Sequence, residues 1–127
     1  MVDNVGTVIN PLLVKGQVHG GVAQGLGQAL LEAIAYEGSQ FVTGFFMDYG
    51  MPRASDLPPI EVVSHEVPSP VNPLGAKGAG EAGTVGALPA IINAIVDALS
   101  PLGVTDVPMP ATPQAIWSAI RRARFVA

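Results

Sequence analysis

The chain has 127 residues, which fits one domain or part of one. Apolar residues make up 49% of it, enough for a core, while 13% are charged and the net charge is −4; with no basic face or stripe, nucleic-acid binding is excluded. The absence of cysteine excludes disulfides, Cys-ligated clusters and thiol catalysis within the chain, and His19 and His65 alone supply a metal site poorly, so no metal ligand is predicted.

Met1 leads into Val2-Asp3-Asn4 without a basic stretch followed by an apolar one, so no secretory signal is read. No apolar run reaches ~18 residues, so no membrane span is expected and the expected compartment is cytoplasmic. Val2 to Leu13 reads as a short strand followed by a turn at Asn10-Pro11. Gln17 to Tyr36 sets Val18, Val22, Leu26, Ala29, Leu30, Ala33 and Ile34 at three- and four-residue steps, which predicts an amphipathic helix. Gly20, Gly21, Gly25 and Gly27 in its first half disfavour helix by ~1 kcal/mol each. Close helix packing and close approach of backbone to a ligand explain them equally well.

Ser39 to Phe46 and Ile60 to Glu66 are rich in Val, Phe and Thr and read as strands, flanking a loop from Met51-Pro52-Arg53 to Leu57-Pro58-Pro59. Pro68 to Gly83 is irregular. A helix follows over Ala87 to Leu99, with Pro89 in its first turn and Ser100-Pro101-Leu102-Gly103 as its stop. Thr112-Pro113, an N-cap and a first-position proline, opens a last helix with Ile116, Trp117 and Ile120 inward and Arg121, Arg122 and Arg124 on a solvated face. The sum is an α+β fold, about three helices packed on a small mixed sheet.

The densest signal is Gly75-Ala76-Lys77-Gly78-Ala79-Gly80-Glu81-Ala82-Gly83. Such a loop lets backbone N–H groups converge on an anion, and the helix after it adds positive potential. A carboxylate at its rim, Glu81, is well placed to act as a general base beside a bound cofactor. Three readings compete. The first is a structural loop with an exposed glutamate. The second is a dinucleotide loop, since Gly78-x-Gly80-x-x-Gly83 satisfies G-x-G-x-x-G. Its context fails: Pro68, Pro70 and Pro73 crowd the approach where a buried strand should be, and Asp97 falls inside the next helix rather than at a strand end.

The third reading is a resemblance. Asn10-Pro11, Gly16-Gln17-Val18-His19-Gly20-Gly21 with Gln24-Gly25-Leu26-Gly27, Asp48-Tyr49, and Gly75 to Glu81 together resemble, in order and spacing, the C-terminal part of the molybdopterin-binding large subunit of the xanthine oxidase, aldehyde oxidase and aerobic carbon monoxide dehydrogenase family. The likeness covers nearly the whole chain. It implies that residues 1–127 are a C-terminal segment, incomplete relative to the family, of the second molybdenum-cofactor-binding domain. It implies a molybdenum–molybdopterin cofactor, plain or as the cytosine dinucleotide, held by its pterin dithiolene without a protein thiolate. The implied activity is hydroxylation of an aldehyde, N-heterocycle or similar carbon centre with oxygen from water. Glu81 matches the family's catalytic base, Gln17 a glutamine that hydrogen-bonds the pterin, and Lys77, Gly78, Ala79 and Gly80 the loop along the cofactor. His19 is expected to pack rather than ligate, and Asp48 and Tyr49 to serve the fold.

A full large subunit is several times longer, so the chain is expected to be inactive alone. Its implied partners are the remainder of the large subunit and iron–sulfur and flavin subunits, with a homodimer through apolar faces as a further option. The alternative reading is a folded, non-catalytic fragment with an interaction role.

Overall fold

A computed structural model describes residues 2–126; Met1 and Ala127 lie outside the described residues. The fold is α+β, with three helices, α1 (Pro11–Leu30), α2 (Ala82–Leu99) and α3 (Pro113–Val126). Four two-residue strands, β1 (Val2–Asp3), β2 (Tyr36–Glu37), β3 (Gln40–Phe41) and β4 (Val63–Ser64), form one parallel pair and one antiparallel pair. Both strand senses expected of a mixed sheet are present, in separate ladders. The chain divides into two compact units, Met1–Gly25 with Arg53–Ala87, and Leu26–Pro52 with Leu88–Ala127.

In the first unit, α1 begins six residues before its expected start. Asn10 is its N-cap: the side-chain Oδ1 accepts the Leu13 N–H at 3.2 Å and the carbonyl accepts that of Val14 at 3.1 Å. Pro11 takes the first helical position, where its missing N–H costs nothing. β1 pairs with β4 in the register Val2↔Val63 and Asp3↔Ser64, and Asn4 Oδ1 accepts the N–H groups of Gly6 and Val67. Val5, Val18 and Ala87 are buried here. α2 also starts early, at Ala82 rather than Ala87, because the Glu81 carbonyl accepts the N–H groups of Thr84 and Val85. Pro89 therefore stands inside the helix and not in its first turn.

In the second unit, α1 ends at Leu30, where the Gly27 carbonyl takes both the Leu31 and Glu32 N–H groups, so the helix stops short of Tyr36. Ile34, expected on the buried face, is 74% exposed. The strands read over Ser39 to Phe46 and Ile60 to Glu66 contract to β3 and β4, since most of each segment has no partner strand to pair with. Gly38, in the left-handed region at φ 60°, makes the turn from β2 to β3, and Tyr36 meets Phe41 across the hairpin at 5.5 Å between ring centres. Asp48 closes a 3-10 turn by accepting the backbone N–H of Phe45, as Asp56 of the first unit does with that of Arg53.

The core of the second unit is Val104, Val107, Ala111 and Ala119, covered by Ile92, Ile95, Val96 and Leu99 of α2 and Ile116 and Ile120 of α3. Thr112 caps α3 through Oγ1 to the Ala115 N–H at 3.2 Å, as its sequence predicts. Trp117 is half exposed instead of inward, with the Arg121 guanidinium 4.9 Å from its ring centre. The buried stripe of α3 runs through Ile116, Ala119, Ile120 and Ala123, and Trp117 lies beside it. The expectation about apolar length is also corrected: Ala82–Leu102, the helix and the turn that ends it, is long and apolar enough to cross a membrane. Asn93 and Asp97 interrupt the run without lowering its average enough, and four of its apolar residues face the core just described.

Candidate functional site

The glycine loop and Gln17 belong to the first unit, and local backbone chemistry brings them together. The loop's entrance is fixed. Gly75 is left-handed at φ 66°, and its carbonyl accepts the Thr7 N–H at 3.0 Å and the Ser69 N–H at 2.8 Å. Asn72 brackets Ala76, accepting its N–H at 3.2 Å and donating to its carbonyl at 2.9 Å. The Lys77 N–H then donates to the Val5 carbonyl at 2.9 Å.

Beyond Lys77 the backbone is open. Among the described residues nothing in the chain accepts the N–H groups of Gly78, Ala79 or Gly80. A Cβ added at Gly78 or Gly80 would meet nothing within 4 Å, and neither has a positive φ. Glycine at these two places is thus required neither by turn geometry nor by a neighbour among the described residues, and the space before each is open.

The loop is fastened again at its end. Gln17, one turn and a half into α1, donates its side-chain Nε2–H to the Gly80 carbonyl at 2.7 Å, joining residues 63 positions apart. Gly80 can only accept there, so the orientation of the amide is set by chemistry. Glu81 follows at once, with its carboxylate exposed to solvent. One turn further along each element, Gly21 of α1 meets Gly83 of α2. A Cβ at Gly83 would lie 2.5 Å from the Val18 carbonyl, and one at Gly21 would lie 2.9 Å from the Thr84 nitrogen. Gly21 serves close packing, whereas Gly16 and Gly20, which flank Gln17, have open space in front of them.

The structure therefore groups Gln17, Lys77, Gly78, Ala79, Gly80 and Glu81. The Lys77 side chain is exposed. His19 Nε2 is buried without a hydrogen-bond partner, and its ring lines an apolar hollow with Leu57, Pro58, Pro59 and Ile60. Asp48 and Tyr49 belong to the second unit and act on the fold. The Tyr49 hydroxyl donates to Glu32 Oε1 at 3.1 Å, and that bond, with slight desolvation and the carboxylate's charge, raises the phenol's pKa above its ordinary value. An open cavity of about 590 Å³ in the second unit, lined by Val104, Asp106, Ala119 and Arg122 among others, includes none of the grouped residues. Sequence reasoning missed the part played by Gly83. Its spacing after Gly80 was visible, but its contact with Val18 depends on the crossing of two helices.

The molybdopterin cofactor-binding domain family matches residues 1–58. The nicotine 6-hydroxylase large subunit of Paenarthrobacter nicotinovorans is 41% identical over 94% of the chain. The carbon monoxide dehydrogenase large chain of Hydrogenophaga pseudoflava is 37% identical over 94% of it. The chain spans 15% of the length of each of these two relatives. Among solved structures, the Cu,Mo-CO dehydrogenase in its carbon monoxide reduced state superposes with a TM-score of 0.89 at 34% identity, over 99% of this chain and 16% of that one. Quinoline 2-oxidoreductase from Pseudomonas putida 86 gives 0.89 at 43% identity, over 94% and 15%.

Proposed function

This chain belongs to the molybdopterin-binding large-subunit family of the xanthine oxidase, aldehyde oxidase and carbon monoxide dehydrogenase type, and on that premise we propose that it is the segment of a molybdenum hydroxylase that carries the general base. The observation that carries this reading is the open backbone from Gly78 to Gly80, with three N–H groups unclaimed among the described residues and Glu81 at its exit. A non-catalytic fragment would leave the two open glycines without a purpose.

The donor set suits the cofactor. Gln17 and the unclaimed N–H groups of Gly78, Ala79 and Gly80 would hold a pterin, which brings its own dithiolene to the metal. When bound, the cofactor supplies the two-electron acceptor and makes a proton of water removable near neutral pH. Gln17 keeps its Oε1 and a second Nε2–H for the edge of the pterin. The N–H groups of Gly78, Ala79 and Gly80 would be free to hold its anionic groups, with the charge of Lys77 at the loop's entrance. The Glu81 carboxylate takes the proton released as water's oxygen is joined to carbon. The nicotine and quinoline enzymes among the relatives make an N-heterocycle the first substrate to try and an aldehyde the second.

Residues 1–127 are on this reading one segment of the cofactor-binding domain, inactive alone. The remainder of the large subunit covers the exposed Leu12, Leu13, Phe46 and Val85, with iron–sulfur and flavin subunits completing the enzyme in the cytoplasm. A second copy of the chain would be the competing cover. The cytosine dinucleotide form of the pterin is the one to look for. In the assembled enzyme, Glu81→Gln keeps the shape and removes the base. The expected result is full molybdenum content with turnover reduced by at least 100-fold, on the order expected for a lost general base. Unchanged kcat in that variant would remove Glu81 from the mechanism.

A further inference from the structure

We propose that Gln17 is a positioning residue for Glu81, acting through the Gly80 carbonyl. This rests on the reading of Glu81 as the base, and it adds a role for Gln17 beyond contact with the pterin.

The argument is geometric. The loop is tied to the rest of the first unit up to Lys77, through the Val5 carbonyl, and again from Thr84 onward, through the Glu81 carbonyl and the Gly21–Gly83 crossing. Between these ties lies a stretch with two glycines in open space, whose N–H groups have no partner among the described residues. Unrestrained glycine backbone samples more conformations than any other, so a carboxylate at the end of it would be poorly aimed. The 2.7 Å bond from Gln17 Nε2 falls on Gly80, whose carbonyl belongs to the peptide unit that continues into Glu81. Because the peptide unit is planar, that bond restrains the Cα of Glu81 relative to α1, beside the tie that the Glu81 carbonyl makes to α2. α1 is itself held close to α2 one turn further on by the two small residues at the crossing. The Gln17 side chain is exposed to solvent, so its loss leaves no buried group unpaired and the fold has little stake in it. Its consequence is the aim of Glu81.

The test uses two substitutions that separate donor from acceptor. Gln17→Glu keeps length, shape and an acceptor oxygen for a ligand but has no N–H to donate to Gly80; Gln17→Ala removes both. In nitrogen-relaxation NMR of the 127-residue chain, one Nε2–H of Gln17 should show coupling through the hydrogen bond to the Gly80 carbonyl carbon. The order parameters of the Gly80 and Glu81 amides should fall from about 0.85 toward 0.6 or below in both variants, with those of α3 unchanged. This readout needs no cofactor, so it stands or falls apart from the molybdenum reading. In the assembled enzyme, Gln17→Glu should lower kcat per bound molybdenum about tenfold or more at unchanged KM. Rigid Gly80 and Glu81 amides in both variants would overturn the proposal, as would equally mobile amides in the unsubstituted chain. Loss of molybdenum with kcat per bound metal preserved would make Gln17 a cofactor contact alone and overturn it as well.

Discussion

Gln17 reaches Glu81 through one backbone carbonyl, that of Gly80, 63 positions along the chain from Gln17. A side-chain change at either end is therefore expected to alter chemistry more than stability. A different residue-scale prediction concerns Tyr49, whose hydroxyl donates to Glu32. The accepting carboxylate raises the folded-state pKa of the phenol, so the folded form holds its proton more tightly than the unfolded one. The stabilising contribution is complete below the ordinary phenol value of about 10 and is lost as pH rises through the raised one. The unfolding midpoints of the unsubstituted chain and of Tyr49→Phe should accordingly differ at pH 8 and converge as pH is taken above the raised value. A constant difference across that range would show that the Glu32 bond is not what the substitution removes.

At the scale of elements, the glycines divide into those that the fold consumes and those that it leaves open. Gly83→Ala sets a methyl against the Val18 carbonyl and the Val22 nitrogen, both backbone atoms that cannot turn aside. It should destabilise the chain by about 1–3 kcal/mol, seen as a lower denaturant midpoint. Gly16→Ala adds a methyl with nothing within 4 Å inside α1 and should stabilise by up to about 1 kcal/mol. Gly78→Ala should leave the unfolding midpoint of the chain unchanged yet lower the molybdenum content of an assembled enzyme, since the open space before it is where a ligand would lie. Midpoints that fall equally for Gly83→Ala and Gly78→Ala would remove the distinction between packed and open glycines.

The same elements explain what was legible in the sequence. α3 was readable because Thr112-Pro113 encodes its start locally, and the Thr112 hydroxyl makes the expected bond. Asn10-Pro11 carries the equivalent signal for α1 but, with Gly16, Gly20 and Gly21 after it, reads equally as a turn. The first turns of α2 contain Gly83, Gly86 and Pro89, which argue locally against helix. They are helical because the Glu81 carbonyl anchors them and Gly83 packs on α1, which no local signal contains. For the site, residue types and order made Glu81 and its loop conspicuous. The Gln17–Gly80 bond was not legible, because it depends on how α1 and the loop meet.

Taken whole, the molecule exposes more apolar surface than a self-sufficient domain needs. Leu12, Leu13, Phe46, Met47 and Val85 are all exposed, and the apolar face of α2 is only partly used by the core of the second unit. On the proposed function, this exposed apolar surface is where a partner would pack. The chain spans about 15% of the length of its relatives, and the rest of a large subunit is the cover that fits the family. The central claim, that this segment helps to hold a molybdenum cofactor, is tested most directly by elemental mass spectrometry. Molybdenum is measured in the chain purified alone and in complex with a co-expressed remainder of the large subunit. Near-stoichiometric metal is expected in the complex and none in the chain alone. A stable complex that contains no molybdenum, made in cells that load a known molybdenum hydroxylase, would contradict it.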